Sequence, residues 1–172
     1  RGASRGASAE ARATTARVLS MRRASAATDA DDLSPLEKSV FEELNFARTQ
    51  PKELAKHLLA MRPHFDGKIM RLPGRRVAVR TQEGVAALDE AIKHLQTVPA
   101  LAPFQRISAG MSRAARDHCN DSGRRGSIGH DGTDGSTPSS RLSRHGEWER
   151  TSGENINYGA GDARDCVVQL II

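Results

Sequence analysis

The sequence contains little cysteine and no long apolar run, and each deficit excludes a class of protein. Two cysteines in 172 residues cannot build the multi-bridge framework of a small secreted domain. No run of about 18 apolar residues occurs, so the sequence predicts no membrane span. A Gly-rich phosphate loop ending in Lys-Ser or Lys-Thr is missing, as is a calcium loop with EF-hand spacing. The remaining composition is that of a globular protein with the length of about one domain.

Positive charge is concentrated near the N-terminal end. Residues 1–30 hold six arginines and two acidic residues, a net charge of +4, and the whole chain carries +5. Few large apolar side chains and no aromatic ring occur in residues 1–32, which predicts an arm that is disordered unless bound and does not stack on bases. Such an arm favours an acidic protein surface, for example a tubulin-like lattice, over RNA. Its arginines are Arg1, Arg5, Arg12, Arg17, Arg22 and Arg23.

Capping residues and prolines predict where the helices begin. A capping box starts the first helix at Ser34-Pro35, and Pro51 separates it from the second. The second helix has an apolar face of Leu54, His57, Leu58 and Met61. The third and fourth helices are predicted after Thr81 and Ser108, and the last near Asp162. The apolar side of the fourth is predicted to contain Met111, Ala114, Ala115, His118 and Cys119.

The remaining segments predict a hairpin, a long loop and one further strand. Residues 67–81 place two β-prone runs around Pro73-Gly74, which indicates a hairpin. Residues 120–140 are rich in Gly, Ser, Asp and Thr and predict a loop that is functional or flexible, followed by a helical turn near residues 139–144. Residues 148–152 are predicted to form a strand. The fold class expected is α+β, a small antiparallel sheet covered by helices.

Residues 127–159 contain the side chains that could carry chemistry. His130 lies beside a glycine, and Glu154 lies between a glycine and Asn155. Imidazole and carboxylate suit zinc, another divalent ion or acid–base chemistry, although two protein ligands are too few for a metal. The alternatives are a structural histidine and a carboxylate that accepts backbone amides. Asn45 and Arg48 are either a solvated polar face or a hydrogen-bonded anchor, and we interpret both cysteines as buried thiols.

Four ordered motifs resemble the CAP superfamily, also called SCP or PR-1-like. They are Asn45–Pro51, Ala114–His118 with Asp121, Gly129–Ser136 with Arg141, and Gly153–Gly159. The resemblance spans about residues 36–172, so the chain is expected to be a basic arm, 1–32, and a CAP domain, 33–172. It implies an α-β-α sandwich. Residues 67–81 are longer than the segment expected between the second and third helices of a minimal member. The matching motif positions are Asn45, Arg48, His118, Asp121, Asp134, Arg141 and Asn155.

The resemblance also implies a central cavity of two histidines and two acids that holds zinc or another divalent ion in some members. His130 and Glu154 match the first histidine and first acid. The second pair and the last strands would follow Ile172, so we expect no bound cofactor in this chain and metal only in a complete domain.

The family is not an established enzyme class, and some members bind sterols or other lipids. We therefore expect a non-catalytic interaction module, cytoskeletal or ciliary rather than extracellular. The alternatives are a metal-dependent hydrolase and a secreted lipid-binding protein.

Overall fold

The computed structural model describes residues 33–172, and the predicted arm, 1–32, lies outside them. Within the described residues, helices and a three-stranded antiparallel sheet form a mixed α+β structure, as expected from the sequence. The helices are α1 (Pro35–Thr49), α2 (Pro51–Met61), α3 (Val85–Thr97), α4 (Ala109–Arg125), α5 (Pro138–His145) and α6 (Ala163–Gln169). The strands are β1 (Phe65–Asp66), β2 (Ile69–Met70) and β3 (Val79–Arg80), and a 3-10 turn spans Arg62–His64.

The described chain forms two compact units. The first, here called the hairpin unit, combines residues 35–106 with residues 153–172 and contains α1, α2, α3, α6 and the sheet. The second, called the loop unit, contains residues 107–152 with α4 and α5, together with residues 33–34. No helix within residues 33–172 combines the length and the apolar character needed to cross a bilayer.

The core of the hairpin unit is the packed face between α2 and α3. Leu54 and Leu58 of α2 are almost fully buried, as is Leu88 of α3. Burying each such side chain contributes about 1.5–3 kcal/mol. Val168 of α6 joins the same cluster. The predicted apolar face of α2 is wrong in one position, because His57 is exposed.

The predicted hairpin is confirmed by the pairing of β2 with β3, in which Met70 faces Val79 and Ile69 faces Arg80. Strand β1 extends the sheet on the other side of β2. Met70 is 2% exposed and joins the core. Alternation along the strands therefore places Ile69 and Arg80 on the opposite face of the sheet.

The predicted cap of α3 is wrong. Thr81 does not cap the helix; its hydroxyl donates to the carbonyl of Lys68 at 3.0 Å. The helix begins after Gly84, which has φ +80°. A Cβ at Gly84 would lie 2.5 Å from the carbonyl oxygen of Gly67. Only glycine fits this close approach, so the packing of the chain against the hairpin delays the helix start.

Helix α4 begins as predicted, because the Ser108 hydroxyl accepts a hydrogen bond from the amide of Met111. Its buried face was predicted only in part. Ala114 and His118 are buried, whereas Met111 is 56% exposed and Ala115 and Cys119 are exposed. The buried-thiol interpretation is therefore wrong for Cys119, and Cys166 is half-buried. The packed stripe continues instead through Ala109 and Ser122.

Two other boundaries differ from the prediction. Helix α4 continues to Arg125 and ends at Gly126, which adopts the left-handed conformation, so the loop is shorter than residues 120–140. The helical turn near residues 139–144 is confirmed as α5, capped by Thr137. The predicted strand over residues 148–152 is wrong, because Arg150 has φ +69° and interrupts the extended backbone. Helix α6 begins after Asp162 as predicted.

Candidate functional site

A buried arginine forms hydrogen bonds to the backbone of the loop over residues 126–137. Arg141 of α5 is 1% exposed. One terminal nitrogen donates to the carbonyl of Ser136 at 2.9 Å, and the other donates to the carbonyl of His130 at 3.0 Å. The planar fork of the guanidinium suits this task, because it satisfies two separate backbone acceptors with one rigid group. Arg141 therefore fixes both halves of the loop.

Two side chains of α4 hold the same loop from the helix side. His118 and Asp121 are three residues apart and so share one face. The His118 Nε2 donates to the carbonyl of Gly129 at 2.9 Å, and the ring is buried. Asp121 accepts the Thr133 amide at 2.6 Å and the Thr133 hydroxyl. The Thr133 hydroxyl, followed by its amide, holds the pKa of Asp121 below its usual value.

A second carboxylate closes the turn of this loop. Asp134 accepts the amide of Ser136 at 2.9 Å and pairs with Arg144 at the same distance. The hydrogen bonds from Ser136, and after them the one from Arg144, hold the pKa of Asp134 well below its usual range. Asp134 is therefore a charged acceptor within a folded turn.

The outer surface of the loop carries exposed side chains. Ile128 is 81% exposed, and the neighbouring side chains of His130 and Asp131 are also exposed. The contact of His130 with Arg141 is made through its backbone carbonyl. The loop thus presents a fixed tip of apolar and polar side chains to its surroundings.

The pair His145 and Asp117 was not predicted as an interaction. The His145 Nε2 and an Asp117 carboxylate oxygen lie 2.7 Å apart and join the end of α5 to α4. A Cβ at Gly110 would meet the His145 carbonyl at 2.9 Å, so the two helices pack closely there. The residues are 28 positions apart. Asp117 lies in the Ala114–His118 motif, but no sequence pattern indicated that it pairs with His145.

Asn45 and Arg48 have a shared task in the hairpin unit. The Asn45 side chain accepts the amide of Phe104 at 2.7 Å and donates to its carbonyl at 3.2 Å. Arg48 donates to the carbonyl of Ala102 at 3.0 Å and lies 4.0 Å above the Phe104 ring. These contacts make the pair an anchor that ties the segment after α3 to helix α1.

Arg164 forms a contact in the same unit that the sequence did not indicate. It pairs with Glu43 through two nitrogens and lies 4.7 Å above the ring of Phe46. The pair links α6 to α1 across 121 positions. No local sequence pattern predicts a contact between residues that are so far apart in the chain.

The two proposed metal ligands belong to different units. His130 lies in the loop unit and Glu154 in the hairpin unit. Glu154 is half-buried and Asn155 is exposed. Their segment is tied to α6 by Asn157, whose amide donates to Gln169 at 2.9 Å. Among residues 33–172, no group of three or more His, Cys, Asp and Glu side chains is arranged to hold a metal ion.

Comparisons with protein-family models, with curated proteins and with solved structures give no match to this chain.

Proposed function

We propose that this chain is a non-catalytic interaction module of the CAP type, held to a larger acidic assembly by its basic N-terminal arm. The arrangement of Arg141 carries the proposal. A buried arginine whose terminal nitrogens both donate to loop carbonyls supports a fixed binding surface. His118 and Asp121 are likewise occupied with loop backbone. Side chains used in this way position the loop, and its exposed tip is the proposed contact surface for a partner.

The charge distribution supplies the second support. Arginines of the arm give residues 1–30 a charge of +4 out of +5 for the chain. A cluster of this sign raises the association rate and affinity for an acidic surface. A microtubule-like lattice is the proposed host, and the CAP-type α-β-α sandwich is the proposed architecture of the body. The four ordered motifs support that architecture.

The test is co-sedimentation of the full chain with taxol-stabilised microtubules at increasing salt. Binding should fall steeply with ionic strength, because the screening length shrinks from about 10 Å at 0.1 M to about 3 Å at 1 M salt. Deletion of residues 1–30 should abolish most of the binding. Equal binding by the deleted chain would refute the attachment role of the arm.

A His130→Ala variant separates this proposal from the metal-dependent alternative. The exposed side chain of His130 can be removed without touching the bond that its carbonyl accepts from Arg141. We expect unchanged zinc content after dialysis against zinc. A loss of bound zinc or of a hydrolytic activity in the variant would favour the metal-dependent reading.

A further inference from the structure

The β2–β3 hairpin carries a concentration of positive charge that the proposed function does not use. Residues 67–82 contain five basic residues and no acidic residue. Asp66 and Glu83 flank this stretch on either side. The hairpin and its turn span residues 69–80, and four of the five basic residues lie within them, with Lys68 directly before.

Two of the five cations have a role in holding the hairpin. Arg71 pairs with Asp66 at 3.6 Å. Arg75 pairs with Asp165 of α6 and its amide donates to the carbonyl of Leu72 at 3.2 Å. These contacts, with the burial of Met70, fix the hairpin on its unit.

The other three cations have no such role. Lys68, Arg76 and Arg80 are exposed, and within residues 33–172 none of them forms an ion pair. Next to Arg76, Val77 is 75% exposed. Three like charges on one short hairpin repel one another, so they do not stabilise the unit. The hairpin therefore exposes three positive charges that do not contribute to its stability.

We propose that this hairpin, with Lys68, Arg76 and Arg80, is a second docking surface for an acidic protein segment. An acidic peptide fits better than nucleic acid, because residues 66–84 contain no aromatic ring on which a base could stack. The exposed Val77 adds an apolar contact beside the charges, as protein partners commonly supply. The inference deepens the proposed function, since a second basic contact strengthens attachment to the same acidic host through effective concentration.

The experiment measures how much the hairpin contributes to peptide binding in a full-length chain whose arm arginines have been replaced. All six arm arginines are replaced by glutamine, and a fluorescein-labelled peptide of about ten glutamates is titrated by fluorescence anisotropy. In this background Lys68→Gln, Arg76→Gln and Arg80→Gln together should weaken binding by about tenfold, the size expected from losing several exposed charge pairs. Charge-conserving Arg76→Lys with Arg80→Lys should retain the parent affinity.

A matched control removes the same charge elsewhere on the hairpin unit. Lys38→Gln, Lys52→Gln and Lys93→Gln change three exposed lysines and should leave peptide affinity within about twofold of the parent, because distant exposed charges are screened. Circular dichroism checks that both triple variants fold.

Three results would overturn the inference. These are no peptide binding by the parent, equal effects of the two triple variants, and tighter binding of an oligouridylate of equal length that depends on the same three residues. The arm has no arginine in any of these chains, so these results do not depend on the microtubule test of the arm.

Discussion

Replacing Arg141 by methionine is the perturbation for which the structure gives the clearest magnitude. The variant removes the donors to the carbonyls of Ser136 and His130 from a site that is 1% exposed. Hydrogen bonds from a charged donor contribute about 1.5–3 kcal/mol each. Two such bonds together contribute about 3–6 kcal/mol, and their loss is partly offset because the variant no longer has to bury the guanidinium charge. We expect a loss of about 3 kcal/mol in the free energy of unfolding of the loop unit.

The assay is urea unfolding, monitored through tryptophan fluorescence. The chain has one tryptophan, and Trp148 lies in the loop unit with its ring nitrogen donating to Ser143 at 3.1 Å. The fluorescence therefore reports on the unit that contains Arg141. Arg144→Met is the matched control, because Arg144 is on the same helix and pairs with Asp134 at the surface. Exposed pairs contribute about 0–1 kcal/mol. Equal losses in the two variants would refute the role assigned to Arg141.

Three further changes test the hairpin unit. Gly84→Ala should lower the unfolding free energy by about 1–3 kcal/mol, the cost of a strained left-handed residue, and a thermal melt unchanged from wild type would contradict this. Asn45→Ala should expose the Phe104 amide to faster hydrogen exchange while distant amides keep their rates, because the anchor bonds are lost. Partial desolvation, followed by Arg164, lowers the pKa of His57 below 6.5. Its neutral form is therefore favoured by folding, and stability present above pH 6.5 should be lost as the pH falls through the folded pKa. An NMR titration midpoint of His57 at or above 6.5 would contradict that shift.

Local signals in the sequence predicted most element boundaries correctly. Prolines and hydroxyl caps act within one or two turns of chain, so Pro51, Ser108 and Asp162 marked helix boundaries that the structure contains. The Pro73-Gly74 turn likewise predicted the β2–β3 pairing. The prediction failed where distant backbone decides the conformation. Gly84 lies against Gly67, and this contact displaced the predicted helix start at Thr81.

The sequence identified residues of the candidate site, but it did not predict which contact each of them makes. His118, Asp121 and Arg141 were selected from motifs, and the structure gives each of them a bond to loop backbone. Which carbonyl each one meets depends on the packing of α4 against α5, which no local pattern encodes. The exposure of Cys119 has the same origin, because α4 buries the stripe through Ala114 instead.

The proposal that the arm attaches this chain to an acidic host is tested most directly by varying the arm's charge. Three full-length chains are compared by co-sedimentation with microtubules across a salt series. They are the natural sequence, one with all six arm arginines replaced by lysine, and one with all six replaced by glutamine. We predict that the lysine chain binds with nearly natural affinity and the same steep salt dependence, while the glutamine chain loses most of both. A glutamine chain that binds as tightly as the natural one, with the same salt dependence, would contradict the account.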